Sequence, residues 1–409
     1  MNAAEGTLQM NLYHKIRQKI RRLQKNRFVY DGLTISQNGR SVTYEYHITG
    51  EWKQYFKRKK FAIDYGLDVS DVPESVLIIP LLANVLPISW LCDAEIILNE
   101  LESSFYDSIE EFKDGYKKMY PMLSFRGKLI PKNIRSHTPL TKSTAAMFFS
   151  AGVDSFDTLL SHKDEKPLLI TLWGSDICLT DTAGWQHMLN RIEFTKRIFG
   201  CNSIVVRTNF REFLRENALT NLVASSGDGW WHGFQHGIGI ICHALPYAYK
   251  YGFKNLYIAS SFTKAQKGKI TCASDPSIDE KIHFLETNVI HDGYELDRLS
   301  KVRHIVNYGK ESNHFLPLHV CWEESGGQNC SHCEKCSRTI LEIYACKGAP
   351  ENYGFNPSLI TERVVANITE RPYLWKCYYL PIVKSLKKAY TEETIASWAK
   401  WIFNINLKT

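Results

Sequence analysis

Ala146-Met147-Phe148-Phe149-Ser150-Ala151-Gly152-Val153-Asp154-Ser155 is the stretch on which the reading of this chain turns. Four apolar residues in succession suit a short strand buried on both faces of a parallel sheet. Ser150-Ala151-Gly152 then breaks the run, and Val153, Phe156, Leu159 and Leu160 recur at helical spacing. The pattern is strand, tight loop, helix. It repeats downstream. Leu168 to Trp173 reads as a second buried strand, and residues 184 to 199 as a helix. That helix carries Trp185, Leu189, Ile192 and Phe199 on one side, with Gly200 as its C-cap. Ser203 to Arg207 is a third strand, a long helix runs to Tyr251 and closes at Gly252, and Asn255 to Ala259 is a fourth strand. Strands and helices alternating at this spacing predict an α/β fold with a doubly wound parallel sheet.

Upstream of this pattern, residues 1–140 show strand-like alternation, as in Val42-Thr43-Tyr44-Glu45-Tyr46-His47-Ile48, followed by helical patterns. They are expected to form an accessory α+β domain. A polar connector from Lys132 to Ser143, bracketed by Pro131 and containing Pro139, leads into the α/β domain at 141–345. Beyond Cys346, residues 346–409 read as a helical extension.

With 409 residues, 44% hydrophobic and 23% charged, the chain has the composition of an ordinary globular protein and can bury a large core. The net charge of +7 permits contact with phosphates or nucleic acid without requiring it. Basic residues cluster early, in His14 to Arg27 and in Lys57 to Lys60. The first run suits a solvated amphipathic helix with Ile16, Ile20 and Leu23 as its buried stripe; Arg17, Arg21 and Arg22 offer RNA or partner-protein contact as the alternative. The longest uncharged stretch, Ser75 to Cys92, contains Pro80, Asn84 and Pro87 and reads as buried core rather than a membrane span. No signal-peptide pattern opens the chain, so its eleven cysteines are expected to be thiols or metal ligands in a cytoplasmic protein.

A loop between strand and helix at the carboxyl end of a parallel sheet is where such folds bind ligands. Free backbone N–H groups and the positive end of the helix favour an anion there. Ser150 and Ser155 can add hydroxyl donors, and Asp154 could hold Mg²⁺ against phosphates. The loop lacks the Gly-Lys-Ser/Thr ending of a Walker sequence and the Gly-x-Gly-x-x-Gly of a dinucleotide fold. Ala151 is expected to keep φ negative, because a methyl group is costly otherwise. The plainer alternative is a serine-rich turn with Asp154 as a cap.

Cys321-x8-Cys330-x2-Cys333-x2-Cys336 places four thiols within sixteen residues. That donor set suits a structural tetrahedral Zn²⁺; an iron–sulfur cluster is the competing metal. Gly326 and Gly327 would let the chain fold back to bring Cys321 to the others, and Lys335 and Arg338 would offset the thiolate charge.

The loop resembles the Ser-Gly-Gly-x-Asp-Ser loop of the PP-loop ATP pyrophosphatases, with Ala151 in place of the first glycine. Together with the cysteine spacing, residues 145–345 look like the 7-cyano-7-deazaguanine synthase family. The resemblance implies ATP, Mg²⁺ and Zn²⁺. It assigns nucleotide contacts to Ser150, Ala151, Gly152, Val153, Asp154 and Ser155, with Asp154 and Ser155 at the chemistry and Cys321, Cys330, Cys333 and Cys336 on zinc. It also implies a C–N ligase that adenylates a carboxylate, 7-carboxy-7-deazaguanine, and forms an amide or nitrile with ammonia. Residues 1–140 and 346–409 lie outside the family's catalytic core, as in enlarged relatives that attach the deazapurine to another amine, on a protein or peptide. A tRNA-thiolating enzyme and a non-catalytic zinc-stabilised module are the alternative functions.

Fainter signals lie elsewhere. His232 and His236 are four apart and could share a metal, although packing is the simpler account. Asp228, Trp230, Trp231 and His232 could wall a purine site, and Asp275 could accept hydrogen bonds from a heterocycle or cap a turn. Cys178, Cys201, Cys242 and Cys272 read as buried apolar residues, with Cys178 as the thiol that a sulfurtransferase would need.

Overall fold

The structure is a computed structural model and describes residues 24–323, 326–360 and 375–404. Arg17, Arg21 and Arg22, with the predicted helix around them, lie outside the described residues. Among the described residues the chain is α/β with an eleven-stranded sheet. Its strands are β1 (Arg27–Ile35), β2 (Ser41–Thr49), β3 (Ala62–Asp64), β4 (Glu95–Glu102), β5 (Lys128–Arg135) and β6 (Ser143–Phe148). They continue with β7 (Leu168–Trp173), β8 (Ser203–Thr208), β9 (Phe253–Ala259), β10 (His283–Phe284) and β11 (Thr287–Asp292).

Two compact units divide the chain, one of residues 1–145, 204–256 and 266–291, the other of 146–203, 257–265 and 292–409. In the first of these, the middle of the sequence packs with its beginning. In the first unit β3 pairs antiparallel with β8, Ile63 facing Thr208. Tyr116 donates to the Phe234 carbonyl at 3.0 Å and Tyr247 to the Tyr65 carbonyl at 2.6 Å. These bonds satisfy buried phenols that would otherwise cost on the order of 1–3 kcal/mol each.

The first unit also departs from an all-parallel sheet. β1–β2 and β2–β3 are antiparallel, while β1–β4 and β4–β5 are parallel. The uncharged stretch becomes the helix Ile79–Leu91, buried on nearly every side, with Pro80 in its first turn. Among the described residues no helix is long and apolar enough to cross a membrane. The expected long helix before Gly252 is broken into Glu216–Leu222, a π-turn at Trp231–Gln235, His236–Ile241 and Leu245–Tyr251. Gly229, Gly233, Gly237 and Gly239 weaken helix propensity there, while Gly252 closes the last piece at φ 57° as expected.

In the second unit β6 and β7 are parallel, Met147 facing Leu169, and the helix Val153–Ser161 follows β6. Val153, Phe156, Leu159 and Leu160 are all buried. The helix Thr182–Phe199 is capped by Asp181, which accepts from Gly184 N, and ends at left-handed Gly200. Beyond Cys346 the expected continuous helicity is interrupted by short 3₁₀ turns opening at Pro350 and Pro357; Leu380–Ala389 is the longest helix described there.

The helix Ser103–Met119 holds 266–291 through Gly115, where a Cβ would stand 2.4 Å from the Ser277 carbonyl oxygen. Gly115→Ala is therefore expected to destabilise the protein by about 1–3 kcal/mol in denaturant titration. At Gly229 nothing lies within 4 Å of where a Cβ would stand, and the same substitution there should change stability by less than about 1 kcal/mol.

Candidate anion-binding loop and metal centre

The Ser150–Ser155 loop leaves β6 and turns directly into the helix Val153–Ser161. Ser155 Oγ donates to the Gly152 carbonyl at 3.2 Å and stands 3.4 Å from Ser150 Oγ, while Gly152 N donates to Ser150 Oγ at 3.4 Å. The hydroxyls thus brace the turn from inside. No side chain caps the helix, whose N-cap is Gly152, so Asp154 does not take the capping role of the plainer alternative. Ala151 overturns the expectation of negative φ. Its φ is +56°, and its side chain is fully buried. That conformation costs an L-residue about 1–2 kcal/mol. The carbonyl of Ala151 accepts from His319 N at 2.8 Å, which clamps the turn. Backbone strain held in this way is a recurring property of ligand-binding turns.

Asp154, in the first helical turn, meets two cations. Its Oδ1 lies 3.3 Å from Lys301 Nζ and its Oδ2 3.3 Å from Arg298 NH1. Arg298 continues to Glu342 Oε2 at 3.2 Å and to Thr339 Oγ1 at 3.2 Å, so its guanidinium is held by groups of two further helical turns. Lys301 also donates to the Ser260 carbonyl. Burial opposes ionisation of Asp154, but Lys301 and Arg298 outweigh it and hold the carboxyl below the ordinary range. The stability from this pairing is present above the unfolded pKa of about 3.9 and is lost as pH falls through the lower folded value.

Both Asp154 oxygens therefore face cations, which repel a dication. The donor set fits an organiser of Lys301 and Arg298 better than the Mg²⁺ ligand expected from the sequence. Further positive groups stand nearby. Lys335 adds charge close enough to Asp154 to act on its carboxyl. Burial, reinforced by Arg191, pushes His319 down to about 4, so its imidazole is neutral at pH 7. Arg191 Nε and NH1 are buried with no hydrogen-bond partner among the described residues. The arrangement can receive an anion of several charges.

The four cysteines converge as their spacing requires. Their sulfurs all lie within 4.8 Å of one another, with Cys321–Cys333 at 4.0 Å and Cys330–Cys336 at 3.9 Å. Tetrahedral Zn–S bonds of about 2.3 Å place sulfurs about 3.8 Å apart, whereas a disulfide needs about 2.05 Å. The cluster can hold a metal ion such as zinc. Cys333 N points at Cys330 Sγ and Cys336 N at Cys333 Sγ, donors that stabilise thiolates. Gly326 and Gly327 both take positive φ, and Asn329 ties the returning arms by donating to the Leu318 carbonyl and accepting from Val320 N. Arg338 does not serve the thiolates as expected: it pairs with Glu334 at 3.4 Å and lies over Tyr378. Lys335 Nζ lies over the Trp322 ring.

Asp228, Trp231, His232 and Asp275 belong to the other unit. Trp231 is covered by Arg211, whose guanidinium carbon is 4.2 Å from its ring centre. Trp230 is fully buried. Asp275 caps the short helix Pro276–Asp279 by accepting from Ser277 N at 2.8 Å. His232 and His236 belong to no group of three or more metal-competent ligands; among the described residues the cysteine cluster is the one such group. Cys201, Cys242 and Cys272 are buried as expected; Cys178 is exposed, on the loop after β7. Arg191, Arg298, Lys301 and His319 escaped the sequence reading. Arg298 and Lys301 do fall on one helical face at i, i+3, but nothing local ties that face to Asp154.

Two outcomes are expected. Metal analysis should find one zinc per chain, and Cys333→Ser should abolish it and leave the protein insoluble or partly unfolded, since structural zinc contributes on the order of 10 kcal/mol of apparent folding free energy in small modules. Ala151→Gly should relieve the left-handed strain and alter stability by no more than about 1 kcal/mol, while Ala151→Val should lose over about 2 kcal/mol; thermal melts check both.

Among known proteins, no family model matches the chain, and neither the curated proteins nor the solved structures yield a match.

Proposed function

We propose that the Ser150–Ser155 loop receives the phosphates of ATP and that the protein adenylates a carboxylate with release of pyrophosphate. The observation that carries this reading is the convergence of Lys301 and Arg298 on Asp154, in the first turn of the helix that the loop opens. A helix N-terminus with flanking cations stabilises the charge that builds on a departing pyrophosphate. In the reaction a carboxylate oxygen attacks the α-phosphorus, the bond to the bridging oxygen breaks, and pyrophosphate leaves. An amine then attacks the carbonyl carbon of the acyl adenylate, AMP departs, and an amide forms. Asp154 acts by positioning the two cations; magnesium accompanies the nucleotide rather than Asp154. The family resemblance supplies the substrate class, a 7-carboxy-7-deazaguanine-like acid, with ammonia or a protein or peptide amine as acceptor.

One observation favours tRNA thiolation as the second reading. Cys178 is exposed in the same unit as the loop, available to carry sulfur. Cys178→Ser should leave adenylation untouched on the first reading and abolish product on the second.

The purified protein is expected to convert ATP to AMP and pyrophosphate, with strong stimulation by 7-carboxy-7-deazaguanine. Arg298→Gln and Ser155→Ala should each lower kcat/KM by at least about tenfold. Asp154→Asn should lower activity and also cost about 2–4 kcal/mol of stability, because it leaves nearly buried Lys301 short of its partner. Release of ADP and phosphate would overturn the assignment. Stimulation by tRNA or another acid alone would retain the adenylation and remove the deazapurine. No ATP–pyrophosphate exchange with any acid would leave a zinc-stabilised, non-catalytic module.

A further inference from the structure

In the unit of residues 1–145, 204–256 and 266–291, a carboxylate, an imidazole and a thiol stand in sequence. Asp228 Oδ1 lies 2.8 Å from His232 Nδ1. His232 and, one turn further on, His236 stand close enough to the Cys272 thiol to act on its charge. The second oxygen of Asp228 accepts from Tyr120 OH at 2.9 Å and from Thr271 Oγ1 at 2.7 Å, so the carboxylate cannot swing away. The backbone registers the thiol as well, because Ala273 N donates to the His232 carbonyl at 2.8 Å.

A buried cysteine is ordinarily an apolar filler, and Cys242 of the same unit behaves as one: burial raises its thiol far above the usual range. Cys272 is buried too, yet His232 and His236 outweigh that burial and bring it down to about 7. His232 is raised to about 10 by Asp228 first and then by Cys272. Near neutral pH the cluster therefore favours thiolate beside imidazolium far more than an isolated buried thiol would, and thiolate is the form in which a cysteine attacks. Tyr116 and Tyr120 also stand near the thiol, and burial keeps both phenols protonated. The His232 side chain is 45% exposed, so the imidazole end of the cluster meets solvent.

We infer that Asp228, His232 and Cys272 form a nucleophilic cysteine centre that accepts acyl groups from activated carboxylic acid derivatives. The thiolate pair forms the S–C bond at the carbonyl carbon, and the bond from that carbon to the leaving group breaks. The leaving group departs with the electron pair and can take the His232 proton. Neutral His232 then accepts a proton from the water or amine that attacks the thioester, and the C–S bond breaks to return the thiolate. Asp228 is the positioning residue, fixing the imidazole tautomer. No atom changes oxidation state. The inference is independent of the ATP loop and stands if that loop binds no nucleotide.

The test treats the zinc-loaded full-length protein with p-nitrophenyl acetate, with exposed Cys178 as the internal reference. The expected result is a burst of p-nitrophenolate and a hydroxylamine-labile acetyl group on the Cys272 peptide, formed faster than on Cys178, with a pH midpoint below the ordinary thiol value of about 8.5. Cys272→Ser should abolish the burst, and His232→Gln should slow acylation by about 100-fold. Asp228→Asn should slow it less and move the midpoint upward. Acetylation of Cys178 in preference to Cys272, no acetylation of either, an ordinary midpoint at Cys272, or an unchanged rate in folded His232→Gln would each overturn the inference. If melting curves show a variant unfolded, the native Cys272-to-Cys178 rate ratio and the native midpoint decide.

Discussion

The carboxylate of Asp154 sits at the junction of three helices, tied together by one network of charges. It sits in the first turn of Val153–Ser161, and its two oxygens engage Lys301 and Arg298 of the helix Arg298–Ser312. Arg298 then reaches Glu342 on the helix Glu334–Ala345. Side chains this poorly exposed interact in a low local dielectric, where each member is costly without the others. The same helix pair is tied again by His304 and Asp157, 2.8 Å apart. The loop is therefore presented by a braced scaffold.

The cysteine cluster belongs to the same framework. Cys333 is the N-cap of Glu334–Ala345, and its sulfur accepts from Cys336 N, so the metal-competent sulfurs set where that helix begins. Glu342, two turns later, holds Arg298. Ligation at one end of this helix thus bears on the placement of a cation at the other. On the other side of the loop, His319 lies two residues before Cys321 and clamps the Ala151 carbonyl. A metal held here would do more than close a hairpin: the segments leading into and out of the cluster are those that shape the turn.

Buried polar groups in the other unit show how burial alone does not set a side chain's chemistry. Cys242 and Cys272 are both buried. Only Cys272 has imidazoles beside it, and its thiol moves in the opposite direction. Likewise Asp279 sits fully buried with His291 and Ser274 on one oxygen, a structural arrangement, while Asp228 passes its charge to a half-exposed histidine.

Local information carried a definite part of this protein. The β6 run, the Ser150–Ser155 turn, the β7 strand, the Gly200 and Gly252 caps and the four-cysteine spacing are legible because each depends on residues a few positions apart. Tertiary structure decided what those pieces do. Arg298 stands 144 residues from Asp154, and no periodicity links them. The left-handed φ of Ala151 is imposed by packing and by His319, against the local preference of alanine for negative φ. Thr271 lies 43 residues from the Asp228 it holds, and its neighbour Cys272 reads in sequence as one more apolar residue. Short-range sterics and hydrogen bonds write themselves into sequence patterns; charge pairing, strain and thiol acidity arise only when distant segments share a dry interior.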